Sequence, residues 1–182
     1  MESLDGFIES CRTALKSSHS RQTLEKILAE VLRDPSLVNR LFEHIRIPTD
    51  FDRATIKDVT LYADNTLTIT KPLLPPRCNY SPHNHAAWAI VGVYDGEEEN
   101  IFFQEQEDGN LIETHRRHLK AGEVLFMDES TIHSVSNPLN RMSYGIHIYG
   151  ANLISNWAER NVWSLENKTK KPCGPNGVTL RD

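Results

Sequence analysis

Apolar residues in the first 48 positions recur at helical spacing. Leu4, Ile8, Cys11 and Leu15 fall three or four apart and predict one amphipathic helix. Ser20 is the expected N-cap of a second, with Leu24, Ile27, Leu28, Val31 and Leu32 as its apolar stripe. Asp34-Pro35 has the form of an N-cap followed by proline at the first helical position, where no N–H is needed. Leu37, Val38, Leu41, Phe42 and Ile45 make the third stripe, which Pro48 stops.

Beyond Pro48 the period drops to two. Segments 59–62 and 66–70 alternate around the turn Ala63-Asp64-Asn65. Further short strands are predicted over 88–94, 101–103, 111–119, 124–127, 133–136 and 142–149, separated by Asp95-Gly96, 107–110, Gly122 and Asn137-Pro138. Many short strands at near-even spacing predict a sandwich or barrel. Segment 152–163 has no decisive period, and 167–177 is turn-rich and basic, a surface-hugging or mobile tail. The expected organisation is a helical segment over 1–48 packed on a barrel over 49–165, with a tail over 166–182.

Composition narrows the class. The 182 residues carry a net charge of −5, with 38% hydrophobic and 25% charged positions, which suits one soluble domain. An acidic balance without a long Lys/Arg run argues against nucleic acid. No stretch nears the ~18 apolar residues of a membrane span. Met1-Glu2-Ser3-Leu4-Asp5-Gly6 lacks the basic residues of a signal or transit peptide. Cys11, Cys78 and Cys173 are widely spaced and form no CxxC, which fits a reducing compartment better than a disulfide framework. The expected location is cytoplasmic, with the oligomeric state open.

Histidine is the one unusual count, at eight. His83 and His85 stand two apart, and on a strand such a pair shares one face. His133 lies far along the chain, within reach if a barrel folds its strands back. Neutral imidazoles suit Fe(II), Zn, Ni or Cu. On Gly145-Ile146-His147-Ile148-Tyr149 the isoleucines share one face, and His147 and Tyr149 the other. In a ligand-holding barrel the polar face can line the cavity while the apolar face packs outward.

These residues carry a resemblance. Pro82-His83-Asn84-His85 with Gly92 and Asp95-Gly96 is similar to the first cupin motif, and Gly122 through Asp128 with His133 and Asn137 to the second. The closest likeness is to the cysteine dioxygenase-like group, in particular bacterial 3-mercaptopropionate dioxygenases, over roughly residues 62–163. The resemblance implies a mainly β fold, the cupin double-stranded β-helix or jelly-roll barrel, with an N-terminal helical segment. It implies His83, His85 and His133 as ligands of Fe(II) (Zn, Ni or Cu in a purified sample), with Ala89 or Ile90 where most cupins have a glutamate. It implies Tyr149 and His147 as catalytic residues, and Arg160 as the handle for a substrate carboxylate, with Lys57, Lys71 or Arg77 as substitutes. Trp88 is a further candidate to wall the substrate pocket. Two departures stand out: Gly145 occupies the place of the family's relay serine, and no cysteine is placed to crosslink Tyr149.

The implied function is oxidation of a small thiol carboxylate, 3-mercaptopropionate or cysteine, to its sulfinate with O2. The implied partners are that thiol and O2, not nucleic acid or membrane. The alternatives are another three-histidine cupin enzyme, of diketone- or flavonol-dioxygenase or zinc-dependent type, and a non-catalytic small-molecule-binding cupin. Elsewhere, His115 and His118 read as a solvated face, His19 and His44 as surface, Cys78 as a small packing residue, and Glu97-Glu98-Glu99 as a solvated rim.

Overall fold

A computed structural model describes residues 3–45 and 57–173. Three helices come first: α1 (Leu4–Leu15), α2 (Ser20–Leu32) and α3 (Pro35–Phe42). Their starts follow local chemistry. The Asp34 carboxylate accepts from the backbone N–H groups of Ser36 and Leu37, with Pro35 behind it. Ser20 is already helical, and His19 stands at the N-cap with no side-chain bond to the helix's N–H groups. The third helix ends at Phe42, before Ile45 and short of the stop predicted at Pro48, which itself lies outside the described residues.

Eleven strands follow: β1 (Lys57–Ala63), β2 (Thr68–Leu74), β3 (Asn79–His83), β4 (Ala89–Asp95), β5 (Glu97–Glu105), β6 (Leu111–Lys120), β7 (Val124–Met127), β8 (Ile132–Ser136), β9 (Ser143–Tyr149), β10 (Asn161–Ser164) and β11 (Thr169–Pro172). They form two antiparallel sheets, β1-β2-β9-β4-β7 and β11-β10-β3-β8-β5-β6. From β2 to β9 the chain changes sheet at every connection except the β5–β6 hairpin. The two inner sets, β2-β9-β4-β7 and β3-β8-β5-β6, are those of an eight-stranded jelly roll, the double-stranded β-helix of cupins. Gly96, at φ 89°, makes the tight passage from β4 to β5 that a side chain would strain.

The first sheet separates two apolar layers. Ile69, Ile90, Ile146 and Ile148 face outward and pack with Phe7, Leu24, Leu28 and Val31 of the helices. Ala89, Val91, Val93 and Tyr149 face inward with Phe102, Leu119 and Met127. Burying a side chain such as Leu28 contributes about 1.5–3 kcal/mol, so the helices are bound as a second layer. The outward packing of Ile146 and Ile148 leaves His147 and Tyr149 pointing into the barrel. No helix among the described residues is long and apolar enough to cross a membrane.

The chain after β9 returns to the second sheet. Thr68 Oγ1 donates to the Ala151 carbonyl at 2.6 Å and accepts from Leu153 N–H at 3.0 Å. The segment is mostly turns until β10, whose Val162 pairs with His83. Residues 169–172, expected within a tail, form β11 against β10, and Cys173 is buried beside Arg160, whose carbonyl accepts its N–H.

Candidate metal centre

His83, His85 and His133 converge inside the barrel, with one ring nitrogen of each within 4.8 Å of the others. Their placement differs from the expected strand pair. His83 ends β3, opposite His133 on β8, while His85 lies beyond the strand, just before the positive-φ residue Ala86. The intervening Asn84 is tied to Asn161: its N–H donates to the Asn161 carbonyl, and its Oδ1 accepts the Asn161 N–H at 2.7 Å. That pair of bonds, rather than the strand repeat, turns His85 toward His83.

Hydrogen bonds define which nitrogens are free. His83 donates Nδ1–H to the Ser81 carbonyl at 3.0 Å, leaving Nε2 bare. His133 donates Nδ1–H to Asn100 Oδ1 at 2.7 Å, and its Nε2 is buried without a partner. Burial pushes the pKa of His83 down to about 4, and those of His85 and His133 well below the usual histidine value. Neutral imidazoles with bare nitrogens aimed at one point are the state that can hold a metal ion. No carboxylate belongs to this group among the described residues. At the two positions weighed for a glutamate, Ala89 packs inside the barrel and Ile90 packs against the helices.

A cavity of about 50 Å³ opens beside the cluster, lined also by His147, Tyr149, Arg160, Glu98 and Asp58. Pro72, Leu74, Tyr80 and Val135 complete its wall. The volume admits a few small-molecule atoms rather than an extended ligand. His147 Nδ1 lies 3.1 Å from the Tyr149 hydroxyl, and the Tyr149 ring sits edge-on to His85 at 4.9 Å. Burial raises the Tyr149 pKa well above its ordinary value, so the phenol stays protonated. Arg160 is 9% exposed and its Nε has no hydrogen-bond partner.

Two acids in the wall had not been expected there. Glu98 is 1% exposed, not part of a solvated rim. The period of β5 explains it: Glu98, Asn100 and Phe102 are buried while Glu97, Glu99 and Ile101 alternate with them. That alternation, visible as Asn100 and Phe102 beyond the acidic run, was the available signal. Asp58 faces the cavity beside Pro72, its register partner. It stands exposed at the cavity's open side. No sequence feature singled it out.

Trp88 does not line the cavity. With Ala89 turned inward, its neighbour Trp88 faces the other way, packs with the helical layer and lies across Gly150, where a Cβ would collide with the indole. Lys71 is also on the outer face, its Nζ 4.0 Å from the Phe42 ring centroid, with burial lowering its pKa to about 8. Arg77 hydrogen-bonds Asn140 in an exposed turn. The Lys57 side chain lies outside the described part. Of the basic residues weighed as carboxylate handles, Arg160 reaches the cavity. His115 and His118 are exposed on β6, and His19 and His44 are exposed in the helical layer.

No protein-family model and no curated protein matches the chain. Among solved structures it is similar to a conserved protein with a double-stranded β-helix domain from Klebsiella pneumoniae. That match has 17% identity over 60% of this chain and 80% of that one, with a TM-score of 0.44. It is similar to KdgF from Halomonas sp., at 18% identity over 60% of this chain and 89% of that one, TM-score 0.48. It is also similar to an oxalate oxidase in complex with glycolate, at 16% identity over 58% of this chain and 55% of that one, TM-score 0.45.

Proposed function

We propose that this chain is an Fe(II)-dependent thiol dioxygenase that converts a small thiol carboxylate, 3-mercaptopropionate or cysteine, to its sulfinate with O2. The observation that carries the reading is the donor set: three buried neutral imidazoles, no carboxylate, and a small cavity shared with Tyr149 and Arg160. His83 and His133 would hold the metal through the Nε2 atoms that their Nδ1 hydrogen bonds leave bare, with His85 as the third ligand. When bound, Fe(II) supplies the place where sulfur and O2 react, and both oxygen atoms end on sulfur with the thiol as sole electron source.

The rest is done by the chain. Arg160 offers a planar fork for the carboxylate at the far end of the thiol. The Tyr149 hydroxyl, kept protonated by burial and held against His147 at rest, turns its one proton to oxygen atoms that gain charge as sulfur is oxidised. Pro72, Leu74 and Val135 give the cavity an apolar wall that limits water. Zn, Ni and Cu fit the same nitrogens, so metal identity follows from supply as well as geometry.

The test is anaerobic loading with Fe(II), Zn, Ni or Cu, followed by oxygen uptake with a panel of thiols. The expected result is uptake with Fe(II) alone, one O2 per sulfinate formed, on carboxylate-bearing thiols. Loaded protein that consumes no O2 with any thiol would overturn the reading.

A further inference from the structure

Glu98 is the most deeply buried acid in the cavity, and it lies between two imidazoles. Its Oε1 accepts from Asn100 Nδ2 at 2.9 Å, and Asn100 Oδ1 accepts from His133 Nδ1 at 2.7 Å. Its Oε2 faces His147 Nε2 at 3.4 Å, and neither atom has a hydrogen-bond partner. On the other side of the same ring, His147 Nδ1 meets the Tyr149 hydroxyl. A polar path thus runs from His133 through Asn100 and Glu98 and, across the 3.4 Å Glu98–His147 approach, to His147 and Tyr149.

The place at which the resembling family supports this histidine with a serine is Gly145. A Cβ there would stand 3.2 Å from His147 Nε2 but 2.6 Å from the Gly92 carbonyl oxygen, too close for the paired strands β4 and β9. The group that faces Nε2 instead stands on the opposite sheet, Glu98 of β5.

We propose that Glu98 is a positioning residue that fixes the protonation pattern of both imidazoles. Glu98 Oε2 is an acceptor aimed at Nε2, so an Nε2 proton of His147 is favoured and Nδ1 is left to accept from the Tyr149 O–H. Through Asn100, the same carboxylate presents an amide oxygen to His133. This holds the His133 proton on Nδ1 and leaves Nε2 bare toward the cluster. The consequence for turnover rests on the thiol dioxygenase reading; the protonation pattern does not.

The test uses metal-free protein labelled with 15N-histidine, in which nitrogen shifts report the tautomer of each ring. The expected pattern at neutral pH is Nε2–H for His147 and Nδ1–H for His133. In Glu98→Gln the amide oxygen is engaged by Asn100, so its NH2 faces His147 and should drive that ring to Nδ1–H while His133 is unchanged. With Fe(II) the same variant should lose roughly 10–100-fold in kcat with KM and metal content nearly constant. Nδ1–H or imidazolium at His147 in the native protein would overturn the proposal, as would a tautomer indifferent to Glu98→Gln. If the native protein shows the expected tautomers yet oxidises no thiol, the functional reading fails and the positioning role stands.

Discussion

The Nε2 atoms of His83 and His85 lie 3.2 Å apart. Burial lowers the pKa of both rings, and His83 spends its proton on the Ser81 carbonyl. Its Nε2 lone pair therefore faces the neighbouring ring at close range inside the barrel. A cation shared with His133 Nε2 satisfies the lone pairs at once.

The first prediction follows from that arrangement. The native chain should bind one divalent metal, and His133→Ala should lose most of it, because two donors from one short segment remain. Metal at about 100-fold over its dissociation constant should add roughly 2.7 kcal/mol of stability to the native chain. Metal analysis and thermal melts read both effects. Unchanged metal content in His133→Ala would remove this residue from the site.

Acid should destabilise the metal-free chain. Buried His83 titrates at about 4, whereas an unfolded chain takes up that proton near the ordinary value of about 6.5. Between those two values the unfolded state binds more protons, so stability falls as pH falls through that window. His83 alone accounts for about 3 kcal/mol, and His85 and His133 act in the same direction. Denaturant midpoints of metal-free protein at pH 7 and pH 5 should therefore separate clearly; coincident midpoints would mean that the three rings are not buried neutral.

Much of the architecture was legible because it is periodic. The Ile146/Ile148 against His147/Tyr149 alternation foretold which face of β9 meets the helices, and Asp34-Pro35 foretold the start of α3. His85 was assigned the right neighbourhood by the wrong route, since an Asn84–Asn161 pairing 77 residues apart replaces the strand repeat. Glu98 was hidden by composition: three consecutive acids suggest solvent, and only the two-residue period turns one of them inward. Asp58 reaches the cavity through the β1–β2 register, which local sequence does not encode. Short β10 and β11 are held by pairing with β3 and with each other; the segment over β10 showed no decisive period, and the basic, turn-rich composition over β11 gave no strand pattern.

Restoring a serine at position 145 should harm the protein. The new Cβ meets the Gly92 carbonyl at 2.6 Å and Pro72 Cγ at 3.0 Å, both in paired strands that cannot yield independently. Overpacking of this kind costs about 1–3 kcal/mol. Gly145→Ser should melt several degrees lower and gain no activity. A serine variant of native stability and higher turnover would show that β4 and β9 tolerate the side chain and that the relay simply lacks it.

Arg160 makes the sharpest claim about substrate. Its backbone is fixed on both sides, by Cys173 N–H to its carbonyl at 2.8 Å and by the neighbouring Asn161–Asn84 pairing. Its side chain is buried against the cavity with Nε unpartnered, and an unpaired buried guanidinium nitrogen is a standing cost that a ligand carboxylate can relieve. A hydrogen bond to a charged group is worth about 1.5–3 kcal/mol, so Arg160→Met should raise KM for 3-mercaptopropionate roughly 10–100-fold. Arg160→Lys keeps the charge but not the fork, and should fall between the two. A thiol without a carboxylate never makes the contact, so its kcat/KM should barely change. Steady-state kinetics on both thiols separate the cases: equal losses would assign Arg160 to holding the β10 hairpin in place, whereas a loss confined to the carboxylate-bearing thiol assigns it to the substrate.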